Sequence, residues 1–184
     1  MSLPISVTSD DLRAAQAAAK RAARVADDEK FTVTEILASR PPKNCWEPVL
    51  VWSASQFMEE STLFMLAVQK YKAAPTQQKM DYIYKHFVGH GKRLADRAIN
   101  IPSDSRERVF ELVTGSQTRA RNGGCRADAF DKAIEGLNFQ LKFDMNNRFG
   151  RAVAQPAAKF SMTASQKTML EQELADFDRL GMNL

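Results

Sequence analysis

Few residues in this 184-residue chain are spaced for chemistry of their own. His86 and His90 stand four apart, the spacing at which two imidazoles share one helix face and can hold a metal ion. A zinc site needs about four nitrogen or sulfur ligands, and only Cys45 and Cys125 could complete the set. Gly89 falls between the histidines near an expected helix end, so surface histidines are the simpler reading. The Glu-x-x-His repeats of a di-iron bundle are absent. So are Gly-x-Gly-x-x-Gly, the phosphate-loop Lys-Ser/Thr and Gly-x-Ser-x-Gly; Gly123-Gly124 alone does not make a phosphate cradle. Glu59 and Glu60 are adjacent carboxylates, and adjacent residues do not face each other on a helix. They read as solvated acids favouring a helix start. The expectation is a protein without a catalytic apparatus, metal or cofactor of its own.

A different kind of pattern lies between Phe130 and Phe149. Phe130, Ile134, Leu137, Leu141, Met145 and Phe149 trace one apolar helical face, on one helix or a closely joined pair. Beside it runs the stripe Gln140, Asp144, Arg148, each four residues from the next. An acid N-terminal to a base at that spacing is the favourable order, so Asp144 and Arg148 can pair on one edge. Such a solvated pair is worth only ~0.3–0.5 kcal/mol, so on its own it marks an exposed edge rather than a site.

The length suits one domain with extensions at its ends, and 44% hydrophobic residues suffice for a full core. A net charge of +4 permits acidic partners or anionic lipid without demanding either. Basic residues are not interleaved with aromatics in the manner of a nucleic-acid binder, so no nucleic-acid partner is expected. Two cysteines make no disulfide framework and read as free thiols in a reducing compartment. No run reaches the roughly 18 apolar residues of a membrane helix, and the N-terminus lacks a basic-then-apolar signal pattern. A soluble cytosolic protein is the expectation.

Along the chain, residues 1–8 read as an unstructured lead, followed by an Ala-rich helix capped by Ser9. A short helical segment spans 31–37 and ends at Pro41-Pro42. Helices follow over 46–52, with Pro48 tolerable only in the first turn, over 57–72, and over 77–88 after a turn at 73–76. Residues 89–100 read as a loop, 104–113 as a helix capped by Ser103, and 114–128 as a loop carrying two adjacent glycines and three arginines. After the 130–149 region, Thr163 and Gln166 form a capping box that opens a last helix, and Gly181 suits its end. No period-two strand pattern stands out. Helix succeeds helix through short connections, so the fold class is all-α, a bundle.

Four segments in fixed order carry a family resemblance. FMEESTLFMLAVQKYK (57–72), DYIYKHFV (81–88), AINIPSDSRERV (98–109) and AFDKAIEGLNFQLKFDMNNRF (129–149) together resemble the regulator of G-protein signalling (RGS) domain. That family shows Ser/Phe-Glu-Glu-Asn-hydrophobic-x-Phe-Trp, Ile-Tyr-x-x-Phe-Ile, Asn-Leu-x-x-x-x-Arg, and Phe-Asp-x-Ala-Gln followed at a set distance by Asp-x-x-x-Arg-Phe. The resemblance covers about residues 31–150 and implies a nine-helix, two-subdomain RGS-type bundle. Residues 1–30 would then be an N-terminal helical extension and 151–184 a C-terminal extension with one helix.

The function this resemblance implies is GTPase activation: binding the switch regions of a heterotrimeric Gα subunit and accelerating its GTP hydrolysis, in the cytoplasm or at the inner face of the plasma membrane, with at most weak peripheral lipid contact. The partner-binding residues it implies are Phe57, Glu60, Ser61, Asn100, Gln140, Asp144 and Arg148. Asn100 matches the asparagine that reaches toward the Gα glutamine, Glu60 an acid of the first contact loop, and Asp144 and Arg148 the acid–base pair flanking the switch-binding groove. Phe57 stands where an aromatic is usual. Three positions depart from the pattern. Ser61 replaces the usual contact asparagine and loses an amide that both donates and accepts. Gln140 stands where an apolar contact is common, and Met65 replaces the tryptophan after Phe64. Loops 89–99 and 114–128 look longer than typical. These departures support an alternative, an RGS-shaped scaffold or adaptor module without GTPase-activating activity.

Overall fold

The computed structural model describes residues 46–56, 58–89, 97–119, 125–143, 148 and 162–182. The expected helices before residue 46, together with Phe57, His90, Cys45 and Asp144, lie outside the described residues. Among the described residues the secondary structure is helical, with no strand. Six α-helices follow one another: α1 (Trp46–Ser55), α2 (Glu59–Ala73), α3 (Gln77–Ile83), α4 (Ser103–Arg119), α5 (Asp131–Phe143) and α6 (Ala164–Arg179). A single π turn, Tyr84–Val88, continues α3. No helix among the described residues is long and apolar enough to cross a membrane.

The local signals explain most of these boundaries. Pro48 is the third residue of α1, where its missing N–H has no intrahelical partner to lose. Glu59 and Glu60 open α2 while Lys70 and Lys72 close it, so charge opposes the helix dipole at both ends. The Thr76 hydroxyl caps α3 by accepting from the Lys79 N–H at 3.3 Å. The capping box of α6 is fully made: the Thr163 N–H donates to Gln166 Oε1 at 2.9 Å and the Gln166 N–H to Thr163 Oγ1 at 3.2 Å. At the far end of α6, Gly181 takes a left-handed φ of 65°. The next N–H, that of Met182, then reaches the Phe177 carbonyl at 2.8 Å, and the Met182 side chain is buried.

One expected loop is shorter than the sequence suggests. Residues 114–119 are helical, the last turns of α4. The Thr114 hydroxyl donates to the Phe110 carbonyl at 2.7 Å, so it is satisfied without leaving the helix. Gly115 lowers helix propensity, by about 1 kcal/mol relative to alanine, but does not end the helix.

The chain divides into two compact units, Met1–Thr62 with Asn138–Ala175 and Leu63–Leu137 with Asp176–Leu184. In the first, α1 is buried on all sides at Val49, Leu50, Val51, Trp52 and Ala54. The buried Gln166 side chain donates to the Ala54 carbonyl at 2.7 Å, satisfying an end of α1 that has no intrahelical partner. The second unit has an aromatic core. Phe64 meets Phe87 and Phe130 edge-on at 6.0 and 6.2 Å, and Tyr71 meets Phe130 at 5.4 Å. Each such pair adds ~0.5–1.5 kcal/mol beyond the area it buries. The Tyr71 hydroxyl donates to the Arg126 carbonyl at 2.7 Å, tying α2 to the turn that leads into α5, and burial pushes its ionisation well above the usual tyrosine range. Phe177 of α6 packs edge-on against Tyr82 at 6.0 Å, so the last helix packs against its own chain.

Of the apolar face read at 130–149, Phe130 and Leu137 are buried and Ile134 is half-buried, while the Leu141, Met145 and Phe149 side chains lie outside the described residues. Ala133, which is not on that face as read, is buried too. Helix α5 therefore turns the Phe130–Ala133–Leu137 line inward, steps of three and four that a helix places on one side.

Candidate functional site

In the second unit the residues that matter most surround Asn100. The π turn ends α3 with the Gly89 N–H on the Tyr84 carbonyl at 2.8 Å, and Gly89 itself needs a φ of 57°. The carbonyls of His86 and Phe87 are then free to accept from the returning chain. The Arg97 N–H bonds His86 at 3.0 Å and the Ile99 N–H bonds Phe87 at 2.9 Å. Ile99 and Ile101 point into the core, with 1% and 6% of their surface exposed. Asn100 lies between them, and its side chain is exposed. In an extended segment successive side chains point to opposite sides, so burying both isoleucines turns the asparagine outward.

A third brace comes from α4. Arg106 Nη2 donates to the Ile99 carbonyl at 3.0 Å, and the Arg106 N–H to the Pro102 carbonyl at 3.1 Å. Arg106 is the arginine that closes the Asn-x-x-x-x-x-Arg segment, so the signal for it was in the motif even though its role was not. Its other terminal nitrogen, Nη1, is buried without a hydrogen-bond partner. The guanidinium also acts on Tyr84, whose ionisation rises through burial although the positive charge of Arg106 partly offsets the rise.

Glu60, Ser61, Gln140 and Arg148 belong to the first unit, with Asn100 in the second. Glu60 and Ser61 are half-buried in the first turn of α2. Arg148 is exposed; Nη2 donates to Gln56 Oε1 at 2.8 Å, and Nη1 lies 4.0 Å from Met58 Sδ. The structure thus brings Arg148 to the short connection just before Glu59–Ser61. Gln140 is in the helical backbone of α5. Gln56 was not singled out by the sequence, and no motif position marks it.

Glu59 departs from expectation. Rather than being a solvated acid, it is 7% exposed, and its Oε2 has no hydrogen-bond partner. The buried Thr62 hydroxyl, one turn on, has none either. The positive end of α2 favours a carboxylate at this position, which offsets part of the cost of burying it.

No group of three or more His, Cys, Asp or Glu among the described residues could hold a metal ion. His86 stacks on Tyr82 with ring centres 4.2 Å apart. Cys125 is a free thiol placed 3.7 Å from Gln77 Oε1. No protein-family model matches this sequence, and no curated protein matches it.

Proposed function

We propose that this chain is an RGS-type domain, a nine-helix bundle that binds the switch segments of a Gα subunit and accelerates GTP hydrolysis at or near the cytoplasmic membrane face. It would activate a partner enzyme and have no active site of its own. The observation that carries this reading is the presentation of Asn100: an exposed amide, able to donate and accept, on a loop braced by backbone hydrogen bonds and two buried isoleucines. Side-chain placement of that kind suits a residue that must meet a partner in one fixed geometry.

The mechanism is conformational. Gα supplies its own arginine and its water-positioning glutamine. A surface that binds the switch segments more tightly in their transition-state shape than in the ground state lowers the barrier without contributing a nucleophile or base. Each ~1.4 kcal/mol of that difference is tenfold in rate. Asn100 would hold the glutamine side chain; Glu60, Ser61 and Arg148 would contact the neighbouring switch segment.

The test is single-turnover GTP hydrolysis by a panel of Gα subunits, with and without the protein. Acceleration is expected with at least one Gα, together with preferential binding to the GDP–aluminium fluoride form. Asn100→Ala should reduce acceleration on the order of a hundredfold, the scale for losing one positioned polar group in a transition state. Glu171→Ala, on α6, should leave it unchanged. Because Asn100 is exposed, the variant should keep its stability to within ~0.5 kcal/mol. Binding without any acceleration would instead favour the scaffold reading, for which Ser61 and Gln140 are the supporting residues. Neither binding nor acceleration with any Gα would overturn the GTPase-activating reading.

A further inference from the structure

We infer that Gly136 is a positioning residue for Asn100, acting through Pro102; this rests on the reading of Asn100 just given. Gly136 lies inside α5 and has no left-handed φ, so its backbone does not call for glycine. Glycine inside a helix is unfavourable relative to alanine. Space supplies the reason for it. A Cβ at Gly136 would stand 2.8 Å from Pro102 Cδ, 3.6 Å from Pro102 Cγ and 3.3 Å from Ser105 Oγ.

The serine hydroxyl can rotate away. Pro102 Cδ cannot, because it is bonded to the backbone nitrogen within a ring. Relieving the overlap must therefore move the peptide between Ile101 and Pro102, which lies next to Asn100. The bare face of α5 lets Pro102 seat closely. That seat joins the Phe87 and Arg106 bonds to Ile99 in fixing where the Asn100 amide is held. Gly115 provides the contrast within the same chain. It too is helical, but a Cβ there would meet nothing within 4 Å.

The experiment compares Gly136→Ala, Gly115→Ala and the double variant Gly136→Ala/Pro102→Ala in the full chain. The readouts are thermal melting, amide hydrogen exchange and single-turnover acceleration of a responsive Gα. Gly115→Ala should raise the melting temperature, the ordinary result of removing a helical glycine. Gly136→Ala should lower it. It should also speed exchange of the Ile99 and Arg97 amides while leaving those of α2 slow, and cut acceleration on the order of tenfold to a hundredfold, as misplacing a positioned group does. The double variant, lacking the proline ring, should restore both slow exchange and acceleration. Wild-type exchange at Ile99 in Gly136→Ala, or no recovery in the double variant, would overturn the inference. If Gly136→Ala does not fold, the double variant decides alone: folded with slow Ile99 exchange supports the inference, and unfolded overturns it. A wild-type protein that accelerates no Gα would remove the Asn100 reading, yet Ile99 exchange would still decide whether Gly136 sets this loop.

Discussion

Asn100 and Arg148 are both exposed polar side chains, yet they are held in opposite ways. Asn100 is placed by its neighbours: two backbone hydrogen bonds to the end of α3, a guanidinium on the Ile99 carbonyl, and isoleucines buried on either side. None of these involves the asparagine side chain. The Arg148 side chain, by contrast, is itself engaged, in a solvent-exposed bond to Gln56 among its contacts. Substituting Asn100 therefore removes only what the side chain does outwardly. Substituting Arg148 removes whatever its guanidinium does outwardly together with its bond to Gln56. Of the two, only the first is a clean probe of the proposed partner recognition.

The strongest challenge to this contrast is Ile99→Ala. Deleting most of a side chain that is 1% exposed should cost ~2–5 kcal/mol, the spread reflecting how far the cavity can collapse. Denaturant unfolding measures that loss. If Asn100 depends on its neighbours as argued, acceleration of a responsive Gα should fall even though Asn100 is intact. Full acceleration at saturating protein would mean that the asparagine positions itself, and the contrast with Arg148 would disappear.

How much of this was legible beforehand follows from which forces act locally. The capping box at Thr163–Gln166, the tolerated Pro48 and the end of α6 at Gly181 depend on residues a few positions apart, and each was readable as such. The Phe130–Leu137 face was readable because periodicity reports which side of a helix is apolar. It did not show that Ala133, not Ile134, would sit deepest, since that depends on which neighbours approach. The bond from Arg106 to Ile99, the Gly136–Pro102 approach and the Gln56–Arg148 contact join residues brought together only by the tertiary fold. The burial of Glu59 is hidden from the sequence for the same reason: a first-turn acid looks solvated until another element covers it. In the sequence Gly115 suggests a break, yet α4 runs on to Arg119, since one glycine costs a helix only about 1 kcal/mol.

In the first unit the comparison is sharpened at Gln166. Its side chain closes the capping box and also donates to the Ala54 carbonyl, with 7% of its surface exposed. Gln166→Ala leaves a buried carbonyl and the Thr163 N–H without those partners, so a loss of ~1–3 kcal/mol is expected. Gln166→Glu retains the acceptor for Thr163 but places a carboxylate oxygen against the Ala54 carbonyl, so it should recover only the cap. Chemical denaturation of the two variants separates the contributions. Equal losses would mean that the Ala54 bond dominates and the cap adds little. Because this anchor is buried, its loss should exceed that of the exposed Arg148 anchor in the same unit.

The smallest effect on stability should come from Arg148→Ala. The guanidinium is exposed, and its bond to Gln56 competes with water, so the change should stay under ~1 kcal/mol. Gln56→Ala removes the other half of the same contact. A double-mutant cycle between the two reads the coupling directly, and additivity to within a few tenths of a kcal/mol is expected for a solvent-exposed bond. The functional outcome carries more information. If Arg148 meets the partner directly, Arg148→Ala weakens Gα binding while Gln56→Ala, which removes one bond but keeps the guanidinium, weakens binding much less. If Arg148 matters only because it holds the connection before Glu60 and Ser61, the two variants weaken binding equally. Titrating both against Gα in its GDP–aluminium fluoride form distinguishes these cases, and equal losses would transfer the contact from the arginine to the segment it touches.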